Sequence, residues 1–137
     1  MNELKEIYTR YYEKAAKVRK KAPPLAGIWG MGNDPRNDAC HEDFYEAVGE
    51  WVERFDTSDS AAVLEAVKWI LGAALEHRDE DVYWFLYAAH GLTLPLIPRL
   101  TPADCKSLFA WYDASYPKRD RMPVQQQVWK ALKKGAK

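Results

Sequence analysis

Four residue types that carry catalytic or metal-binding chemistry stand side by side at positions 40–43, which read Cys-His-Glu-Asp. A thiol near a helix N-terminus can have a lowered pKa, and an imidazole can act as a base or as a metal ligand. Adjacent residues of a helix point in different directions, however, so these side chains do not converge on one point. A site would need His77, His90 or Cys105 to be brought in by folding, and the chain has neither a CxxC nor an HExxH spacing. We therefore predict no metal site, no cofactor and no enzymatic activity.

A second group of titratable side chains is acidic and begins inside the same run. Asp43, Glu46 and Glu50 recur at spacings of three and four residues, which places them on one face of a helix. Paired carboxylates could perform general acid–base catalysis. A solvated acidic face is the more ordinary meaning of such a run, and we interpret these three residues as a charged surface for a partner.

The segment between the first two predicted helices, residues 22–37, is long for a connection inside a compact domain. It contains three of the seven glycines, and we expect it to be an ordered loop. Two interpretations remain open. Its apolar side chains either pack beneath the loop, or form a recognition surface with the polar side chains that follow them. The residues of that surface would be Trp29, Met31, Asn33, Asp34 and Arg36. A phosphate-binding loop is disfavoured, because the sequence lacks the GxxxxGK[ST] pattern.

Basic side chains collect at the C-terminal end of the chain, next to three consecutive glutamines. Phosphate contacts from Lys and Arg supply most of the sequence-independent affinity of proteins for nucleic acids. The residues that would make these contacts are Lys118, Arg119, Arg121, Lys130, Lys133 and Lys134. The connection between the last two predicted helices is too long for a helix-turn-helix. The whole chain also has a net charge of zero and is therefore not basic as a whole. Nucleic-acid binding is therefore the alternative function.

The zero net charge conceals a sorting of charge along the chain. Residues 1–21 contain seven basic and three acidic side chains, residues 38–81 contain three and thirteen, and residues 117–137 contain seven and one. Opposite charges sorted in this way either close a fold on itself or leave opposed patches for partners.

The hydrophobic pattern predicts helices throughout and shows no alternation typical of strands. Residues 3–20 form the first amphipathic helix, and the second begins near Asn37 or Asp38 and ends near Phe55. The third follows the turn at residues 56–60, and an apolar central helix spans 82–90, with Gly91 expected in the left-handed position that follows it. Thr101 and Pro102 are typical of the start of a helix, which runs to about Ala114, and the last helix covers 122–134.

These elements predict an all-α fold: a compact single-domain bundle of five to six helices, with one long ordered loop between helices 1 and 2. Two cysteines are too few for a disulfide framework, which favours a reducing compartment, and we expect the cytoplasm. The apolar run 82–98 is short and broken by glycine and proline, so we predict no membrane span. Our functional prediction is a small interaction protein that acts as an adaptor, inhibitor or regulator of another protein.

Overall fold

The computed structural model describes the backbone of residues 1–21, 35–77 and 85–137, and the side chains of 1–17, 39–77 and 85–137. The described residues form a compact all-α fold with no strand, as the sequence predicts. Four short 3₁₀ segments lie between the helices, at Ala74–His77, Ala89–Thr93, Ile97–Arg99 and Lys118–Asp120. The α-helices are α1 (Asn2–Lys21), α2 (Pro35–Arg54), α3 (Ser60–Ala73), α4 (Phe85–Ala88), α5 (Pro102–Ser115) and α6 (Pro123–Gly135).

The helix ends follow local chemistry. The Asp59 side chain caps α3 by accepting a hydrogen bond from the backbone N–H of Ala61 at 3.0 Å, and Thr101 caps α5 by accepting one from Asp104 at 3.1 Å. Helix α2 begins at Pro35, two to three residues before the predicted start. Proline suits the first turn of a helix, because the amide hydrogen that it lacks has no partner within the helix there. The predicted loop therefore loses its last three residues to α2, and its remainder, 22–34, lies outside the described residues.

Two antiparallel helix pairs build the bundle. In the first, α1 packs against α2 through buried aromatic rings, and Tyr11 stacks on Phe44 with ring centroids 4.2 Å apart. In the second, α5 packs against α6, and the rings of Phe109 and Trp129 lie 5.1 Å apart. Helix α3 joins the pairs, because the Tyr116 hydroxyl beyond α5 donates a hydrogen bond to the backbone carbonyl of Leu71.

The segment from Phe85 to Thr93 lies at the centre and contacts α2, α3 and α6. It is α-helical as far as Ala88 and continues as a 3₁₀ turn, so the central helix ends two residues before its predicted end at His90. Gly91 lies within this turn and does not adopt the left-handed conformation. A Cβ atom at Gly91 would approach the Val124 Cγ2 atom to 2.8 Å, so glycine is required here for close packing.

No helix within residues 1–21, 35–77 and 85–137 combines the length and apolar character that a transmembrane span requires.

The close approach at Gly91 predicts a specific stability effect. We expect Gly91→Ala to lower the free energy of unfolding by about 1–3 kcal/mol, because the added methyl overpacks the core against Val124. A Val124→Ala background should reduce this cost. Gly72→Ala is the matched control, since its Cβ would lie 3.9 Å from Trp111, and it should stabilise helix α3 by up to about 1 kcal/mol. Urea denaturation measures all four variants, and equal effects at the two glycines would contradict this packing.

Candidate functional site

The outer face of α2 carries an unbroken row of carboxylates. At about 100° of rotation per residue, the five acids of α2 whose side chains are described fall within a stripe about 100° wide, opposite the buried side of the helix. All five side chains are exposed: Glu42, Asp43, Glu46, Glu50 and Glu53. The structure places the predicted Asp43, Glu46 and Glu50 on one face of α2, and Glu42 and Glu53 lie on the same face, as their spacing in the sequence also indicates. We call these five residues the acidic stripe.

Basic side chains lie beside the stripe near Asp43 and at the end of α2. Arg54 donates a hydrogen bond of 2.8 Å to Glu3 of α1, and this bond lowers the pKa of Glu3. Asp43 shares a small groove of about 90 Å³ with Arg10 and Lys14 of α1. Among the described residues, no basic group forms an ion pair with Glu42, Glu46 or Glu53. Folding of the described residues therefore leaves these three carboxylates without an ion-pair partner.

An exposed aromatic residue borders the acidic stripe. Tyr45 lies between Glu42 and Glu46 in sequence and is 38% exposed, more than any other large apolar side chain in the described part of the protein. Its ring packs edge-on against Phe85 at 5.7 Å, which holds it in place. Sequence reasoning did not identify Tyr45 as a site residue. The signal that could have found it is its position outside the apolar face of α2 and between Glu42 and Glu46 in sequence.

The other predicted partner-binding residues lie at the beginning of α2 or before it. Trp29, Met31, Asn33 and Asp34 lie outside the described residues. Arg36 belongs to α2, but its side chain also lies outside the described set. The geometry of the acidic stripe therefore rests on the middle and the end of α2.

The thiol and imidazole beside the stripe point into the protein. Cys40 is 5% exposed, and burial raises the pKa of its thiol, which is the opposite of what an activated nucleophile requires. His41 is 2% exposed, and its Nδ1 atom lies 2.7 Å from the Tyr11 hydroxyl. Across residues 1–21, 35–77 and 85–137, no three His, Cys, Asp or Glu side chains gather as they would around a metal ion. The geometry here is that of a packed core.

The six basic residues of the predicted nucleic-acid surface divide into two groups. Arg121 has a side chain only 4% exposed, and its guanidinium donates hydrogen bonds to the Tyr116 carbonyl, to Gln126 and to Asp113, at 2.9, 3.1 and 2.9 Å. It also lies 5.2 Å from the centroid of the Trp129 ring. Arg121 therefore joins α6 to the end of α5.

The remaining five basic residues are exposed. Lys118 and Arg119 lie in the 3₁₀ turn before α6, and Arg119 has an ion pair of 3.5 Å with Asp120. Lys130, Lys133 and Lys134 share the outer face of α6, where the Lys133 ammonium lies 5.0 Å from the centroid of the Trp129 ring. These residues form a small basic surface on the last helix.

His90 is a fully buried titratable group in the centre of the fold. It is 0% exposed, and its Nδ1 atom lies 2.9 Å from the Tyr112 hydroxyl. Burial lowers the pKa of His90 to about 3, because the core does not solvate an imidazolium. The ring is therefore neutral at physiological pH. It has a structural role, and so does its hydrogen bond with Tyr112.

Comparison of the whole chain with protein-family models, with curated proteins and with solved structures found no match.

The position of Arg121 predicts that its loss destabilises the fold. Arg121→Ala should lower the free energy of unfolding by about 1.5–3 kcal/mol, because the Tyr116 carbonyl loses its charged donor. Arg119→Ala is the matched control and should stay within about 0.5 kcal/mol of the wild type, since its side chain is exposed. Chemical denaturation provides the comparison. Equal effects of the two substitutions would show that Arg121 does not join the helices.

The pKa of His90 predicts a dependence of stability on pH. Between the usual pKa of about 6.5 and about 3, the unfolded state binds a proton that the folded state excludes. The contribution of His90 to the free energy of unfolding is therefore complete above pH 6.5. This contribution decreases as the pH falls, by up to about 1.4 kcal/mol per pH unit. A His90→Gln variant should show a shallower loss between pH 6.5 and 4 in urea denaturation. Parallel curves for the variant and the wild type would contradict the burial of a neutral imidazole.

Proposed function

We propose that this protein is a non-enzymatic interaction protein that binds a basic segment of another protein through the acidic stripe of α2. The single observation that carries the proposal is the row of five exposed carboxylates, of which Glu42, Glu46 and Glu53 have no ion pair among the described residues. A partner with Lys and Arg at matching spacing gains both attraction and orientation from such a row.

Tyr45 supplies the apolar part of this surface. Tyrosine is frequent among the residues that dominate binding energy, because its large ring makes contacts at a low cost in side-chain entropy. The contact of its ring with Phe85 fixes Tyr45 before binding, so a partner does not need to order it. The predicted loop residues Trp29 and Met31, which lie outside the described residues, remain part of the proposal as a further apolar contribution.

The cellular setting belongs to the same proposal. Both cysteines are free and buried, which agrees with a reducing compartment such as the cytoplasm. The role that we propose is that of an adaptor, inhibitor or regulator. The acidic stripe supports recognition of a partner, and the burial of Cys40 and His41 does not favour a catalytic role for them.

Nucleic-acid binding remains the second candidate, on the exposed side of α6. Lys130, Lys133 and Lys134 share one face there, and Lys118 and Arg119 precede the helix. With Arg121 engaged within the fold, five basic side chains support this function. The observation that separates the two candidates is whether bound material survives nuclease treatment.

Charge reversal on the stripe tests the proposal. We expect a triple variant, E42K/E46K/E50K, to reduce recovery of the partner from its native cell by at least about tenfold, because like charges then face each other across the interface. The matched control is E6K/E13K/E65K, which changes the net charge equally at three exposed acids elsewhere. Quantitative mass spectrometry after nuclease treatment compares both variants with the wild type, and circular dichroism confirms that each variant folds.

Tyr45→Ala, in the same assay, should also reduce recovery while the fold is retained. Equal recovery by the two triple variants would contradict the proposal. Loss of all bound protein on nuclease treatment, combined with retention of nucleic acid by the wild type, would favour the basic surface of α6 instead.

A further inference from the structure

A pocket lies where the end of α5, the 3₁₀ turn at Lys118–Asp120 and the start of α6 meet α4. It has a volume of about 390 Å³, within the range of about 300–1,000 Å³ that ligand sites occupy. Much of its wall is apolar: Tyr87 of α4, Tyr116 and Pro117 beyond α5, and Met122 before α6. No residue of the acidic stripe lines this pocket.

Gln125 contributes an unused polar group to the pocket. The residue is 2% exposed, and its Oε1 atom accepts a hydrogen bond of 2.9 Å from the backbone N–H of Met122 at the start of α6. Its Nε2 atom forms no hydrogen bond with any described residue. Nor is this nitrogen one of the described side-chain atoms that are both unpartnered and sealed from solvent. The amide nitrogen of Gln125 therefore reaches the surface of the pocket, where an occupant can contact it.

The neighbouring polar groups show which kind of occupant the pocket suits. Tyr87 is half-buried, and its hydroxyl forms no hydrogen bond with a described residue. The side chains of Arg119 and Asp120 lie at the rim, 87% and 67% exposed, and form an ion pair with each other at 3.5 Å. Because these two charges are opposite and paired, the lining carries no net charge. The pocket therefore suits an uncharged occupant.

The unused groups can donate hydrogen bonds, and the acceptor of the Gln125 amide is already engaged by Met122. An amide nitrogen can only donate, and a tyrosine hydroxyl can donate as well. A matching occupant therefore supplies carbonyl oxygens and needs no acceptor in return. Proline meets both conditions, because its carbonyl accepts and its nitrogen carries no hydrogen. A polyproline II segment has no internal hydrogen bonds, so its carbonyls are available to an outside donor.

From this complementarity of charge and hydrogen bonding we propose that the pocket binds a proline-rich segment of a partner protein. The proline rings pack against Tyr87, Tyr116 and Met122, and a proline carbonyl accepts a hydrogen bond from the Gln125 amide. Aromatic-lined grooves recognise such segments in other proteins, because the segment is already extended before it binds. The site goes beyond the function proposed for the acidic stripe and does not depend on it.

Titration of the full-length protein with short peptides tests the site. The side-chain amide signals of Gln125, assigned by comparison with Gln125→Glu, report occupancy in ¹H–¹⁵N spectra. Acetyl-tetraproline amide should shift these signals in a saturable manner. Acetyl-tetraalanine amide should bind at least about tenfold more weakly, because it is flexible and carries N–H groups that the pocket does not match. Absence of a saturable shift with tetraproline would overturn the proposal, as would equal binding of the two peptides.

Uridine is a third probe, because Lys118 and Arg119 also belong to the basic surface of α6. An unstacked base presents carbonyl oxygens and can stack on an aromatic ring. We expect uridine to bind at least about tenfold more weakly than tetraproline, since its N–H group finds no matching acceptor. Binding of uridine as tight as that of the peptide, or tighter, would overturn the assignment of a proline-rich ligand.

Gln125→Glu isolates the donor. Glutamate keeps an oxygen for the Met122 N–H and lacks the amide nitrogen, so the start of α6 is retained while the donor is lost. With the backbone amide of Met122 as the reporter, the Kd for tetraproline should rise at least about tenfold. Gln127→Glu is the matched control, since it adds the same charge at an exposed position of α6, and it should leave the Kd within about twofold. Equal weakening by the two substitutions would overturn the site.

Tyr87→Phe keeps the proposal testable if Gln125→Glu does not fold. The ring remains and only the hydroxyl is lost, so the free protein should keep its thermal stability. The Kd for tetraproline should rise about threefold to tenfold, since one donor is lost. An unchanged Kd in the folded Tyr87→Phe protein would overturn the proposed hydrogen bonding.

Discussion

The burial of the segment from Phe85 to Thr93 is the constraint on which the rest of the fold depends. It places an imidazole, His90, at the centre of an apolar core, and its neighbours must provide for that polar group. Tyr112 does so from α5 at the Nδ1 atom, 2.9 Å away, whereas Nε2 has no hydrogen-bond partner among the described residues. Thr93 donates a hydrogen bond of 2.7 Å to the backbone carbonyl of His90. The tight 3₁₀ turn brings these groups together, and the close approach of Gly91 to α6 fixes the distance between the turn and the last helix.

Aromatic residues transmit this constraint to the two helix pairs. The ring of Tyr116 packs against that of His90 at 5.2 Å, and its hydroxyl donates to the Leu71 carbonyl of α3. Because tyrosine combines a large apolar ring with one polar atom, each ring that enters the core brings a hydroxyl that needs a partner. Most of these hydroxyls find one, and the Tyr8 hydroxyl does not find one among the described residues. The unused donor is thus a consequence of building a core from tyrosine.

The sequence predicted the helices well because their signals are local. Thr101 and Pro102 mark the start of α5, and the apolar spacing of residues 3–20 defines the buried face of α1. Features that depend on distant neighbours could not be predicted in this way. The 3₁₀ geometry around Gly91 depends on Val124, more than thirty residues away, and the engagement of Arg121 depends on Asp113 and Trp129. The pocket around Gln125 joins residues from α4, α5 and α6, so no spacing within one helix reveals it.

The sorted charge of the chain takes on a clearer meaning once the helices are placed. Basic α1 does lie against acidic α2, yet the exposed ion pair between them joins Glu3 of α1 to Arg54 of α2, which is the reverse of the general pattern. Exposed pairs of this kind are screened by solvent and contribute little to stability. Among the described residues that are buried as a whole, none is Asp, Glu, Lys or Arg, although the side chain of Arg121 is only 4% exposed. Folding of the described residues therefore leaves most of the acidic stripe without ion pairs. Helix α1 lies between this negative surface and a groove bordered by Lys5 and Lys68.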